Sequence, residues 1–284
     1  MAEFQVRTDL ALEARERFEE DVEVRGVALE EVYDEQRDIR VTVVRIQTEN
    51  GAKAMGKPVG TYITLEAPRL SEPDEDYHRE VSGKLAGYLQ KLLDVREEKS
   101  ILVVGLGNRE VTPDALGPEA VSQLRITRHV VREYGKAAFG RDRVHRISAI
   151  VPGVMAQTGM ETLEVVRGIV AETKPDQLVV IDALAARSSR RLNRTIQLSD
   201  AGIQPGSGVG NHRNSLSKET VGVPVLAIGV PTVVDAATIV YDATGDRDAV
   251  PPGLNGMFVT PKNVDEMVRR LSYTISEALN LALS

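Results

Sequence analysis

Two aspartates have the types and settings for joint acid/base chemistry. Asp114 lies in Val103–Pro118 (VVGLGNREVTPDALGP) and Asp182 in Leu178–Ser188 (LVVIDALAARS). Each stands at or shortly after the end of an apolar β-run, and each is followed by Ala-Leu. If both runs are parallel strands of one sheet, the two carboxyls emerge on the same edge. Like charges held close raise one of the two pKa values, so one carboxyl keeps a proton while the other acts as base. That combination activates water against a peptide bond. Two plainer readings compete: Asp114 as a helix cap, and Asp182 as a rim carboxylate paired with Arg187.

The elements that must position the pair follow from the hydrophobic pattern. From Ile101 the chain alternates strand and helix: strand Ile101–Gly105, helix Pro118–Tyr134, strand Val144–Val151, helix Glu161–Thr173, strand Gln177–Asp182. A later strand, Pro224–Gly229, precedes a helix at Ala236–Asp242. A short edge strand is expected at Met257–Thr260 and a final amphipathic helix at Asn263–Leu283. Near-continuous Val/Ile/Leu runs between helices predict an α/β fold, with a parallel or mostly parallel sheet and helices on both faces. Right-handed crossovers put every strand's carboxyl end on one edge, where ligands bind. Pro118 fits the first turn of its helix, which leaves Asp114 in the loop before it. Upstream, residues 1–35 read as a polar, charged lead-in with a short helix after Thr8-Asp9. Ile39–Gln47 and Gly60–Leu65 read as a small N-terminal β-hairpin region, and Asp76–Leu93 as a helix. Asp242–Gly256 reads as a surface loop.

Other motifs carry less. Gly105-Leu106-Gly107-Asn108 follows a strand, but Glu110 stands where a dinucleotide fingerprint needs its third glycine. A tight strand-to-loop turn is the simpler role, with Asn108 and the backbone at Gly107 placed to orient substrate or polarise a carbonyl. Pro205–Asn211 (PGSGVGN) is either a phosphate nest or a loop lining a peptide groove, through Gly208 and Asn211. His212 follows it and is the one histidine expected near the rim; His78 and His129 are expected to be solvated. The four histidines make no short metal-ligand spacing, and there is no cysteine, so thiolate catalysis, disulfides and Cys-ligated zinc are excluded. No metal or other cofactor is expected. The net charge of −7 argues against direct nucleic-acid binding. No apolar run is long enough to span a membrane, and the amino terminus has no signal-peptide core. A cytoplasmic setting is expected.

Seven segments together resemble the germination protease family of spore-forming bacteria. They are Arg7–Ala14 (RTDLALEA), Val103–Pro118, Ile126–His129 (ITRH), Ser148–Thr162 (SAIVPGVMAQTGMET), Ile181–Ser188, Ser199–Asn211 (SDAGIQPGSGVGN) and Gly229–Ala236 (GVPTVVDA). The resemblance implies a fold similar to hydrogenase maturation proteases and an endopeptidase made as a zymogen. Its implied substrates are small acid-soluble spore proteins, degraded during germination in the spore core, and its implied assembly is a homotetramer. Self-cleavage at low pH is implied between Asp9 and Leu10, making residues 1–9 a pro-segment and 10–284 a single peptidase domain. Asp114 and Asp182 match the family's proposed catalytic aspartates. The chain departs from the family in its nine-residue pro-segment and in a brief 242–257 loop where many members carry a long insertion. The alternatives are a metal-assisted peptidase of the same fold, a nucleotide- or phosphate-binding α/β enzyme, and a non-catalytic binding module for spore proteins.

Overall fold

The structure is a computed structural model that describes residues 8–18, 24–206, 214–246, 248–254 and 256–284. Its strands are β1 (Val27–Asp34), β2 (Ile39–Ile46), β3 (Gly60–Glu66), β4 (Ser100–Gly105), β5 (Arg146–Ile150), β6 (Gln177–Ala186), β7 (Thr195–Ser199), β8 (Val225–Asp235) and β9 (Phe258–Val259). All join one mixed sheet in the order β1-β2-β3-β7-β8-β6-β4-β5, with β9 paired to β8. β8, β6, β4 and β5 run parallel; β1, β2, β3 and β7 pair antiparallel, and β7 joins this half to β8. The parallel half is the one predicted from its apolar runs. The N-terminal strands extend the same sheet through β7.

The helices are α1 (Ala11–Arg15), α2 (Glu49–Met55), α3 (Glu75–Leu93), α4 (Leu116–Ser122), α5 (Arg128–Tyr134), α6 (Met155–Thr158), α7 (Thr162–Thr173), α8 (Lys218–Val221), α9 (Ala236–Thr244) and α10 (Val264–Ala282). Strand side chains alternate between two faces, so each strand feeds two cores. Ile101, Val103, Val179, Ile181, Leu226 and Ile228 pack on one face against Val81, Leu85 and Leu89 of α3 and Leu271, Ile275 and Leu279 of α10. Leu102, Val104, Leu178 and Val180 pack on the other against Val166 and Val170 of α7. Ala11 and Ala14 of α1 and Met55 of α2 cover Val44, Ile46 and Tyr62.

Several expectations need correction. The single helix over 118–134 is two, because Gln123–Thr127 leaves the helical path and the Thr127 amide and hydroxyl bond Ile147 and His145 of the neighbouring strand region. The expected β2 and β3 pair antiparallel, but their connection holds a helix, α2, capped by Thr48. The lead-in contains β1, an exposed edge strand. The 242–256 segment begins inside α9. β6 and β8 do not stop at Asp182 and Gly229, since Ala183–Ala186 continue to pair with Val230–Val234 across a register shift.

His78 is buried rather than solvated. It is 2% exposed between α3 and α10, with Nδ1 2.7 Å from the Thr274 hydroxyl and Nε2 3.3 Å from the Glu72 carbonyl. Burial pushes its pKa below the ordinary 6.5. Between those two values the unfolded chain binds a proton that the folded chain does not. Stability is therefore retained above about 6.5 and falls as pH drops through the window, by up to about 1.4 kcal/mol per pH unit. Urea unfolding of the wild type from pH 7.5 to 5 is expected to show this decline, and His78→Gln to reduce it, the rest coming from His145, whose pKa burial also lowers. An equal slope in both proteins would remove His78 as its source.

Candidate active site

The parallel strands end where the two aspartates stand. β4 finishes at Gly105, and the next amide, Leu106, donates to the Ile181 carbonyl at 2.8 Å. Asp182 is thus the first residue of β6 beyond its pairing with β4; it is 5% exposed, and its Oδ1 accepts from the Ala183 amide at 3.0 Å. Asp114 ends a short 3-10 turn, Thr112–Asp114, directly ahead of α4. It does not cap that helix: the N-cap is Ala115, which makes no side-chain cap bond. Instead, Asp114 Oδ2 accepts from the Asn108 amide at 2.7 Å, which ties the β4 loop to the turn.

Close backbone approach makes this loop possible. Gly107 has φ +110°, and a Cβ there would lie 1.9 Å from the Asp114 carbonyl oxygen. Only glycine fits at that position without moving Asp114. From the other side, the buried Thr232 hydroxyl of β8 donates to the Pro113 carbonyl at 2.7 Å, and Thr260 donates to the Thr232 carbonyl at 2.8 Å. Thr232 anchors the turn that carries Asp114, and the sequence reading did not single it out.

Asp114 and Asp182 line one cavity of about 330 Å³, together with Gly107, Thr162, Pro205 and Gly206. Asp9 lines the same cavity. The segment containing Asp9 lies along the free edge of β6. The Asp9 amide donates to the Ala185 carbonyl at 3.0 Å, and Asp9 Oδ2 accepts from the Ala185 amide at 2.9 Å. One main-chain bond and one carboxylate bond thus hold the segment at a strand edge, a place where many proteins bind a peptide. Leu10 is fully buried against Leu184, Ala186 and Val234. The carbonyl oxygen of Asp9 accepts from Lys57 Nζ at 3.0 Å and from Gln197 Nε2 at 3.3 Å.

The other expected site residues fall in different places. Asn108 borders the pair through its amide, while its side-chain oxygen accepts from Gln157 Nε2 and the Glu110 amide. Arg187 sits past the cavity at the end of β6, ion-paired with Asp242 at 3.1 Å, and its amide donates to Glu13. Gly208, Asn211 and His212 lie outside the described residues; Pro205 and Gly206, at the start of their loop, reach the cavity. In the Gly105–Asn108 turn, the Leu106 and Asn108 amides that a phosphate would need are already donated within the protein. Among the described residues no group of three or more His, Asp and Glu could hold a metal ion, and no helix is long and apolar enough to cross a membrane.

Comparison with known proteins places the chain in a family. The germination protease family matches residues 6–245. The germination protease of Caldanaerobacter subterraneus subsp. tengcongensis is 44% identical over 98% of this chain and 94% of its own length. That of Clostridium perfringens is 42% identical over 99% and 95%, and that of a Geobacillus species 49% identical over 84% and 66%. Among solved structures, the NiFe hydrogenase maturation protease HycI of Thermococcus kodakarensis is similar at 21% identity and TM-score 0.35, covering 68% of this chain and 98% of HycI. A family match over most of the chain, and relatives of that identity along nearly its full length, establish that the chain belongs to the germination protease family.

Proposed function

We propose that this chain is the zymogen of an endopeptidase that begins the breakdown of small acid-soluble spore proteins. In this reading Asp114 and Asp182 activate water, one as base and one as acid, and the first bond cut is Asp9–Leu10. Residues 1–9 are the pro-segment and 10–284 the peptidase domain. The single observation that carries it is that Asp9, the residue before the expected cut, lines the same cavity as the two carboxylates. The Asp9 carboxylate on the Ala185 amide also supports a preference for an acidic residue before the cut. A homotetramer and a spore-core location belong to the same reading.

Intact mass followed against time at mildly acidic pH tests it. The wild type is expected to lose residues 1–9 with or without chelator, and the product to cut an extended peptide that offers an acidic residue followed by an apolar one. A cut at another bond, or none, would sink the proposal. A cut blocked by chelator would move the mechanism to the metal-assisted alternative.

A further inference from the structure

Asp9 borders two cavities. Asp114 and Asp182 line the first; Lys57 and Gln197 line the second. Lys57 follows α2, whose left-handed C-cap Gly56 turns the chain back beneath residues 8–10. Its ammonium group donates to the Asp9 carbonyl at 3.0 Å and to the Thr8 carbonyl at 3.3 Å. Gln197, 7% exposed on β7, bridges the bond after Asp9: its Nε2 donates to the Asp9 carbonyl at 3.3 Å, and its Oε1 accepts from the Ala11 amide at 2.7 Å. One carbonyl oxygen thus receives two side-chain donors, one of them a cation. These are the donors that a tetrahedral intermediate at that carbonyl requires.

We propose that Lys57 and Gln197 form the oxyanion-binding site for hydrolysis of the Asp9–Leu10 bond. This deepens the function proposed above and rests on it. Water attacks the Asp9 carbonyl carbon and gives a proton to one carboxylate of the Asp114–Asp182 pair. The carbonyl electrons move onto oxygen, where the Lys57 ammonium and the Gln197 amide hold the charge. As the carbonyl re-forms, the bond to the Leu10 nitrogen breaks, and that nitrogen takes a proton from the carboxyl partner. The products are the Asp9 α-carboxylic acid and the Leu10 amine, and the pair still holds one proton, now on the carboxyl that took it from water. A charged donor serves better than a neutral one here because charge-assisted bonds are about twice as strong. Burial pushes the Lys57 pKa down, while the Asp9 carboxylate beside it pulls the other way.

The test compares first-order self-cleavage rates, by intact mass at mildly acidic pH, in the wild type, Lys57→Met, Lys57→Arg, Gln197→Glu and Asp114→Asn. Hydrogen exchange at the Ala11 and Ala185 amides reports whether the segment stays docked. Lys57→Met is expected to be slower by about 100-fold, the usual loss on removing one such donor. Lys57→Arg should recover part of the rate, and both amides should stay protected. Gln197→Glu keeps the acceptor for Ala11 and removes the donor to Asp9, so it too should be slower if Lys57→Met fails to fold. Wild-type rates in Lys57→Met and Gln197→Glu, beside an inactive Asp114→Asn, would overturn this assignment alone. Slow cleavage with loss of amide protection would also overturn it, leaving Lys57 as a docking contact. Cleavage by Asp114→Asn at the wild-type rate would instead overturn the parent reading.

Discussion

Asp114→Asn and Asp182→Asn are each expected to slow self-cleavage by about ten-thousandfold, and the double variant to be no slower than the worse single one. Groups that act as one unit lose most of the rate when either is removed, so their effects do not add. Asparagine keeps the shape of the side chain and can still accept the bonds that Asp114 takes from Asn108 and Asp182 from Ala183. Melting temperatures should therefore stay close to the wild type, which separates lost chemistry from lost fold. What asparagine cannot do is take a proton from water or return one to the leaving amine. If the double variant showed the product of the two single effects, the carboxyls would be acting independently. Wild-type cleavage in either single variant would remove that residue from the chemistry.

Much of the framework behind this prediction is readable from the sequence, for a physical reason. The strands that carry the pair are buried on both faces, so their residues are almost all Val, Ile, Leu and Ala, and such runs between helices have few other solutions. The edge rule then puts the Gly107–Asp114 loop and Asp182 together before any coordinate is known. The antiparallel half is less legible. β1 is an exposed edge strand whose Glu30 and Glu31 pair with Arg45 and Arg40 of β2, so charge masks its period. β7 has the opposite disguise: Thr195, Gln197 and Ser199 are polar, yet all three are buried. Gln197 is polar because it serves the backbone of Asp9 and Ala11, whose positions only the folded chain defines. Lys57, Thr232 and Glu13 share this property. Each satisfies main-chain groups far away in sequence, and a single polar residue with such a task leaves no periodic trace.

Glu13→Ala is expected to destabilise the protein by about 3 kcal/mol, which lowers the melting temperature by roughly 6–10 °C in a chain of this size. Glu13 is 1% exposed, and its carboxylate accepts from the Ser188 amide at 3.0 Å, the Arg187 amide at 2.7 Å and Arg191 Nη1 at 3.4 Å, with the Thr8 hydroxyl also against it. Breaking a buried ion pair by removing one partner costs about 3–5 kcal/mol. The low end applies because Arg191 keeps Glu16 at 2.5 Å and Glu66 at 2.9 Å. Burial opposes the Arg191 charge, yet the surrounding carboxylates win and raise its pKa, so the guanidinium stays charged in the variant. Two main-chain amides at the end of β6 lose their acceptor, and these hold the amino-terminal segment against the strand that carries Asp182. The segment should therefore leave the cavity more often, slowing self-cleavage even though Asp114, Asp182, Lys57 and Gln197 are intact. Cleavage of a separate peptide should not slow, because the same displacement vacates the cavity for it. That opposition between intramolecular and intermolecular rates marks a docking residue. Equal losses in both would place Glu13 in support of the catalytic groups, and an unchanged melting temperature would refute its role as the anchor.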